Sequence, residues 1–340
     1  MVVADDGKNR PVTIFDVARL AGVSHQTVSR VLNDLPNVRA STRERVEKAI
    51  AQLRYTPSQA ARALVTRRSR TLGLIQTGGP DYGPSSTLLY FNEAAREARY
   101  AVSIASMLEA DAGALRSAAE LLLRQNVEAL VLIAATASDV ASLAHEELGV
   151  PLIVVAPHAE GRAASVAIDH YAGARTAVAH LAELGHSDIR HVSGPAQSLE
   201  ARERIRGWRD ELSARGLVAN EILTGDWSPA SGYQYGRSLG ESTATAAFVA
   251  NDQMALGVIH GLRDSGREVP ADFSIVGFDD IPEAAHFSPP LSTVRQDFVS
   301  LGHDVMAMVL AQLDDEAAAP RAAIVPDLVE RDSTRRVPHP

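Results

Sequence analysis

From Thr71 onward, short apolar runs of β-type residues alternate with longer helix-forming stretches, and this alternation restricts the fold more than any other feature of the chain. The runs are TLGLI, AVSIAS, EALVLIA, VPLIVVA, RHVSG, AAFVA and FSIVGF. Helices are predicted between them, including 86–98, 114–125, 173–184, 202–214 and 253–265. Strands that are apolar at nearly every position bury both faces, which calls for parallel sheets with helices on both sides. The pattern continues for about 265 residues, more than one layered domain holds, so two α/β lobes are expected. Ligands of such sheets sit at the carboxyl ends of the strands.

The bulk numbers agree with a soluble chain. Apolar residues make up 46% of the 340 and charged residues 22%. No apolar run reaches membrane-spanning length, and the polar start MVVADDGKNRPV lacks the apolar stretch of a secretion signal, so a cytoplasmic location is expected. The absence of cysteine excludes disulfides, thiol catalysis and zinc–cysteine sites. The net charge of −9 is unevenly spread. Residues 1–70 hold 13 Lys and Arg against 6 Asp and Glu, or +7, and the remainder hold 20 against 36, or −16. A basic head on an acidic body suggests that only the head meets a polyanion.

That head reads as all-helical. Thr13 to Asp16 forms a capping box, and Gly22 stops the helix it opens. Ser24 can cap a second helix in which Val28, Val31 and Leu32 share one face. The opposite face carries His25, Gln26, Ser29, Arg30 and Asn33. Ser41 to Glu44 forms another box, opening a third helix with Val46, Ala49, Ile50 and Leu53 on one stripe. Two helices joined by Gly22-Val23-Ser24 make a helix-turn-helix, whose exposed face carries groups able to read base edges: Gln for adenine, Arg for guanine. A plain three-helix bundle with a solvated face fits the same pattern. Pro57 ends the third helix, and 66–70 reads as a basic linker.

Catalytic signatures are lacking. GGPDYGP, 78–84, matches neither glycine-rich phosphate motif, and neither H-E-x-x-H nor G-x-S-x-G occurs. The eleven histidines show no metal-ligand spacing and are expected mostly at the surface or at caps. VAND, ending in Asn251 and Asp252, and GFDD, ending in Asp279 and Asp280, each close an apolar run; turn chemistry and ligand contact are both open readings. No catalytic residue, metal or cofactor is expected.

VTIFDVARLAGVSHQTVSRVLN, TRERVEKAIAQLRYTPSQAARAL, GDWSPASGY, VANDQMALGV, FSIVGFDD and PPLSTVRQDF together resemble the LacI/GalR family of bacterial transcription repressors, across nearly the whole chain. The resemblance implies an all-α helix-turn-helix headpiece and an α/β two-lobed core like that of periplasmic binding proteins. It divides the chain into a disordered tail at 1–10, a headpiece at 11–56 and a hinge helix and linker at 57–70. The N-terminal lobe takes 71–168 and 298–325, and the C-terminal lobe 169–297 and 326–335. It further implies a homodimer that binds a pseudo-palindromic operator and releases it, or in some members grips it, when a sugar or glycoside binds between the lobes. No membrane association is implied.

The residues implied to meet DNA are Thr13, Ser24, His25, Gln26, Thr27, Ser29, Arg30, Asn33, Arg39, Thr42 and Tyr55, with Ser58, Ala61 and Leu64 in the hinge helix. Of these, His25, Gln26 and Arg30 fall at base-reading positions. Leu64 falls where the family wedges a leucine into the minor groove, with the small Ala61 beside it. The implied effector set is Arg204, Trp227, Asn251, Asp279, Gln296 and Phe298. An arginine fork, an amide and a carboxylate together suit vicinal diols. The N-terminal lobe departs from the pattern. Ala156 replaces a sugar-contacting aspartate, Ile133 an asparagine and Ile168 a phenylalanine, while Asp81 replaces a leucine; Asp81 or Asp169 is a candidate to take over a hydroxyl. The ending VERDSTRRVPHP lacks a leucine-heptad helix, so a dimer rather than a tetramer is expected, with 86–98 contributing to its surface. A sugar-binding transport protein fits the core alone but leaves the basic head unexplained. A sugar-modifying enzyme would need a nucleophile, metal set or nucleotide loop that the motifs do not supply.

Overall fold

The computed structural model describes residues 12–32, 35–36, 38–55, 68–157, 163–315 and 322–337. The chain forms two compact units, Met1–Ser69 and Arg70–Pro340. The tail, Asn33 and the hinge residues Ser58, Ala61 and Leu64 lie outside the described residues.

The first unit contains α1 (Ile14–Ala21), α2 (His25–Leu32) and α3 (Ala40–Leu53). Asp16 closes the start of α1, its carboxylate accepting from the Thr13 backbone N–H at 3.0 Å and the Thr13 hydroxyl at 2.7 Å. Gly22 ends α1 at φ +64°, a left-handed turn that only glycine enters without strain. Ser24 then accepts from the Thr27 N–H at 3.2 Å and starts α2. Val17, Val28 and Val46, one from each helix, are completely buried together and hold the bundle. The expected box at Ser41 does not open α3. The Arg39 carbonyl already accepts from the Thr42 and Arg43 N–H groups, so the helix starts at Ala40 and Ser41 to Glu44 lie inside it.

The second unit holds two parallel sheets. In the first, β1 (Thr71–Thr77), β2 (Ala101–Met107), β3 (Leu130–Ile133), β4 (Leu152–Val155) and β5 (Ala164–Val166) run in the order β2-β1-β3-β4-β5. The second contains β6 (Ile189–Ser193), β7 (Leu223–Thr224), β8 (Ala246–Val249), β9 (Ser274–Asp279), β10 (Ser292–Arg295) and β11 (Asp327–Val329), in the order β11-β10-β9-β8-β6-β7; only β11 is antiparallel. Around the first sheet lie α4 (Tyr82–Glu97), α5 (Ala112–Leu123), α6 (Ala137–Ala144) and α11 (Phe298–Leu313). Around the second lie α7 (His170–Glu183), α8 (Leu199–Ala214), α9 (Pro229–Gly240) and α10 (Asp252–Asp264). Each sheet therefore separates two apolar clusters, the arrangement its two-faced apolar strands demand.

The helices start earlier than the apolar pattern suggests, because polar caps precede the first apolar residue. Asp111, Asp169, Ser198 and Asn251 each accept from a backbone N–H three residues on, and α5, α7, α8 and α10 begin directly after them. Arg70, expected to be linker, docks on the core instead: its N–H donates to Glu128 at 2.7 Å and its guanidinium lies 4.9 Å from the Tyr100 ring centre.

Candidate functional site

A cleft of about 580 Å³ opens where the two sheets point their carboxyl ends at each other. The loop after β1 supplies Gly78, Gly79 and Asp81, and the end of β3 supplies Ile133 to Thr136. From the other sheet come Pro195, Gln197, Ser198, Glu200, Arg204, Asp226, Trp227, Asn251 and Asp279.

Arg204 is the centre of the charged wall and is only 2% exposed. One end of its guanidinium donates to the Ala250 carbonyl. Its Nη2 lies 3.3 Å from His170 Nδ1, 3.5 Å from Glu200 and 3.8 Å from Asp279. The Phe278 ring centre is 3.9 Å away and that of Trp227 5.5 Å. The Arg204 Nε is buried with no partner among the described residues. Burial, then the charge of Arg204, pulls the His170 pKa well down, so its imidazole is neutral and Nδ1 accepts from the arginine.

Asp279 ends β9 at φ +110°, a conformation that a non-glycine residue holds only when its surroundings impose it. Its Oδ1 accepts from Gln296 Nε2 at 2.6 Å. Burial pushes its pKa up to about 7 against the pull of Arg204, and the negative charge of Glu200 adds to the rise. Behind it Asp252, fully buried, accepts from the Thr293 hydroxyl at 2.6 Å and the Ile281 N–H at 2.9 Å; burial raises its pKa well above the usual carboxylate range. These bonds tie the β9 and β10 ends together beneath the site.

Trp227 also has a left-handed backbone, φ +71°. Asn251 fixes it: the amide Nδ2 donates to the Trp227 carbonyl at 3.0 Å, while Oδ1 caps α10 through the Met254 N–H at 2.9 Å. The amide expected to meet hydroxyls is thus also the clamp of the aromatic platform.

Of the six residues named for an effector, Arg204, Trp227, Asn251 and Asp279 line the cleft. Gln296 reaches it through Asp279, and Phe298 lies in an adjoining smaller cavity with Ile168 and Ala156, its ring 5.8 Å from that of Tyr82. Asp81 lines the cleft, whereas Asp169 caps α7 through the Ala172 N–H. Glu200 and Asp226 went unnoticed in the sequence; a carboxylate four residues before Arg204 on one helix was the available signal. Most of the described histidines lie at the surface as expected, but His170, His186 and His191 are buried, His191 stacked between Trp208 and Phe248. Among the described residues no group of three or more His, Asp or Glu could hold a metal, and no helix is long and apolar enough to cross a membrane.

In the first unit His25, Gln26 and Arg30 stand exposed on α2, with Ser24 and Arg39 exposed at helix starts. Thr27 and Ser29 are half-buried, and Thr27 is held to Ser24 at 3.0 Å between hydroxyls. Thr13 is engaged with Asp16, Thr42 sits in the first turn of α3, and Tyr55 packs on the bundle core. The Phe15 ring lies 5.1 Å from His25, beside the reading face.

Comparison with known proteins closes the case for descent. Residues 13–58 match the lacI family of bacterial regulatory proteins, and 178–334 match a periplasmic binding protein-like domain. The lactose operon repressor of Escherichia coli strain K12 is 35% identical over 96% of this chain and 91% of its own. The transcriptional regulator CelR of Thermobifida fusca is 32% identical over 96% and 99%. A lac repressor dimer bound to operator and an anti-inducer superposes with a TM-score of 0.85 at 33% identity, covering 96% of this chain and all of that one. A CelR–cellobiose complex gives 0.71 at 29% identity, covering 95% of this chain and all of that one. The chain belongs to the lacI family of bacterial regulatory proteins.

Proposed function

We propose that the protein is a homodimeric repressor of genes for sugar or glycoside use, which binds a pseudo-palindromic operator and lets go when a hydroxyl-rich effector fills the cleft. The observation that carries this reading is the cleft's polar set: Arg204, Asn251 and Asp279 converge beside Trp227 at the strand ends. A guanidinium, an amide and a carboxylate recognise paired hydroxyls, and an indole face packs on the C–H face of a sugar ring. The headpiece supplies the other half. α2 enters a major groove with Gln26, Arg30 and His25 toward the bases, and the basic residues around it supply salt-dependent affinity from phosphates. Leu64 wedges at the operator centre. Effector binding draws the lobes together and lowers operator affinity, and by linkage the operator weakens the effector by the same factor.

Selection of operators from a randomised pseudo-palindromic pool, followed by fluorescence anisotropy with a panel of mono- and disaccharides, tests the reading. Sequence-specific binding released by a sugar is expected. Tight operator binding that no sugar changes would remove the effector half. Tighter operator binding on adding a sugar would make the effector a co-repressor. Sugar binding with no preference among DNA sequences would favour a sugar-binding protein of another role.

A further inference from the structure

The cleft carries more acid than a neutral polyol requires. Six carboxylates line it, those of Asp81, Glu109, Asp139, Glu200, Asp226 and Asp279, against one cation, Arg204. Two are already used locally: Asp139 accepts from the Thr77 hydroxyl at 2.8 Å and the Thr136 N–H at 3.0 Å, and Asp226 from the Ser228 hydroxyl and N–H at 2.6 and 2.9 Å. Glu109 is exposed. The inner cleft is left with Asp81, Glu200 and Asp279 facing one guanidinium, two of whose nitrogens already meet Ala250 and His170.

Helix capping does not account for Asp81, which occupies the cap position of α4 yet gives the helix no side-chain hydrogen bond. Asp81 belongs to the lobe of the first sheet, and Glu200 and Asp279 to the lobe of the second. All three line the same cleft, and burial first, with the charge of Asp81 as a smaller contribution, makes both Glu200 and Asp279 harder to ionise. Closing such a cleft over an uncharged ligand expels water and strengthens the repulsion between the lobes. A ligand cation between them turns that repulsion into attraction and gains charge-assisted hydrogen bonds. An ammonium suits acids carried by the two walls of one cleft, because it donates its hydrogen bonds one at a time; among the described residues no three acids or histidines are grouped for a metal ion.

We propose that the effector is a hydroxylated molecule bearing a protonated amine, an amino sugar being the simplest example, and that Asp81 and Glu200 hold the ammonium from opposite lobes. The proposal rests on the cleft being the effector site. Its chemistry divides the work: Arg204, Asn251 and Trp227 take the hydroxylated ring, and the two acids supply both selectivity for the amine and the force that closes the lobes.

Titration calorimetry of the full-length protein with matched sets tests it: glucosamine, N-acetylglucosamine and glucose, and the same three of the galactose series. The amine is expected to bind at least about tenfold more tightly than its neutral partners, the difference one charge-assisted bond makes. Glu200→Gln and Asp81→Asn should each erase that preference, the amine falling to the affinity of its neutral partners, with operator affinity in the absence of sugar as the check on folding. A neutral sugar or glycoside that binds as tightly as the amine, or a preference that survives both substitutions, would overturn the charge proposal and leave the sugar-effector reading standing. Failure of every member of both sets to bind or to release operator would overturn the two together.

Discussion

The indole of Trp227 occupies the space that a side chain on Gly194 would need: a β-carbon at Gly194 would lie 2.2 Å from both Cζ2 and Cη2 of the ring. Gly194 follows β6, and its bare α-carbon lets the aromatic platform lie against the strand end. Gly194→Ala must therefore displace Trp227. We expect effector affinity to fall by about tenfold or more, with a changed tryptophan emission spectrum and unchanged operator affinity. Emission and effector affinity both like wild type would show that the ring is not seated by Gly194.

Asp279 sets a pH dependence whose sign can be worked out. Its folded pKa, about 7, lies above the unfolded value of 3.8, so the folded state holds the extra proton between those values. Stability is therefore lost as pH rises from about 4 to 7 and stays lower above that. Asp279→Asn removes this loss. The variant should gain on the order of 2–4 kcal/mol relative to wild type between pH 4 and pH 8, read from urea unfolding at several pH values. A pH-independent difference would mean that Asp279 is ionised throughout, held so by Arg204.

Gly22 turns at φ +64° with open space around it, so Gly22→Ala brings strain without a clash. The change should weaken the headpiece by about 1 kcal/mol, which speeds exchange of the protected amides of α1 and α2 about fivefold while those of the β-sheets keep their rates. Equal protection in the variant would mean that the turn relaxes out of the left-handed region.

On the operator, Arg30→Ala should cost roughly 1–3 kcal/mol of discrimination at one base pair per half-site, measured by competition against single-base variants. Arg39→Ala should weaken all sequences alike and flatten the salt dependence. Uniform weakening by Arg30→Ala would reassign it to a phosphate.

Much of this was legible locally. The two parallel sheets follow from strands apolar on both faces, and the headpiece from Gly22, Ser24 and the stripe Val28–Val31, because these are short-range matters of period, cap and turn. The cap positions were harder, since Asp111, Ser198 and Asn251 precede the apolar residues by which a helix is recognised.

What the linear pattern settled, then, is the element types, the split between basic head and acidic body, and the family. What only three-dimensional packing decided is which charges share a space. Asp81 stands out in the sequence only as a departure from the family pattern and Glu200 not at all, and the two are far apart in the chain; the topology of two sheets facing carboxyl end to carboxyl end brings both to the cleft beside Arg204. Arg204, named from the family resemblance as an effector residue, is 2% exposed over Phe278, a burial that its polar helix does not announce. Burial and apposition depend on strand order, and those two quantities set the ionisation of Asp279 and the charge a ligand must bring.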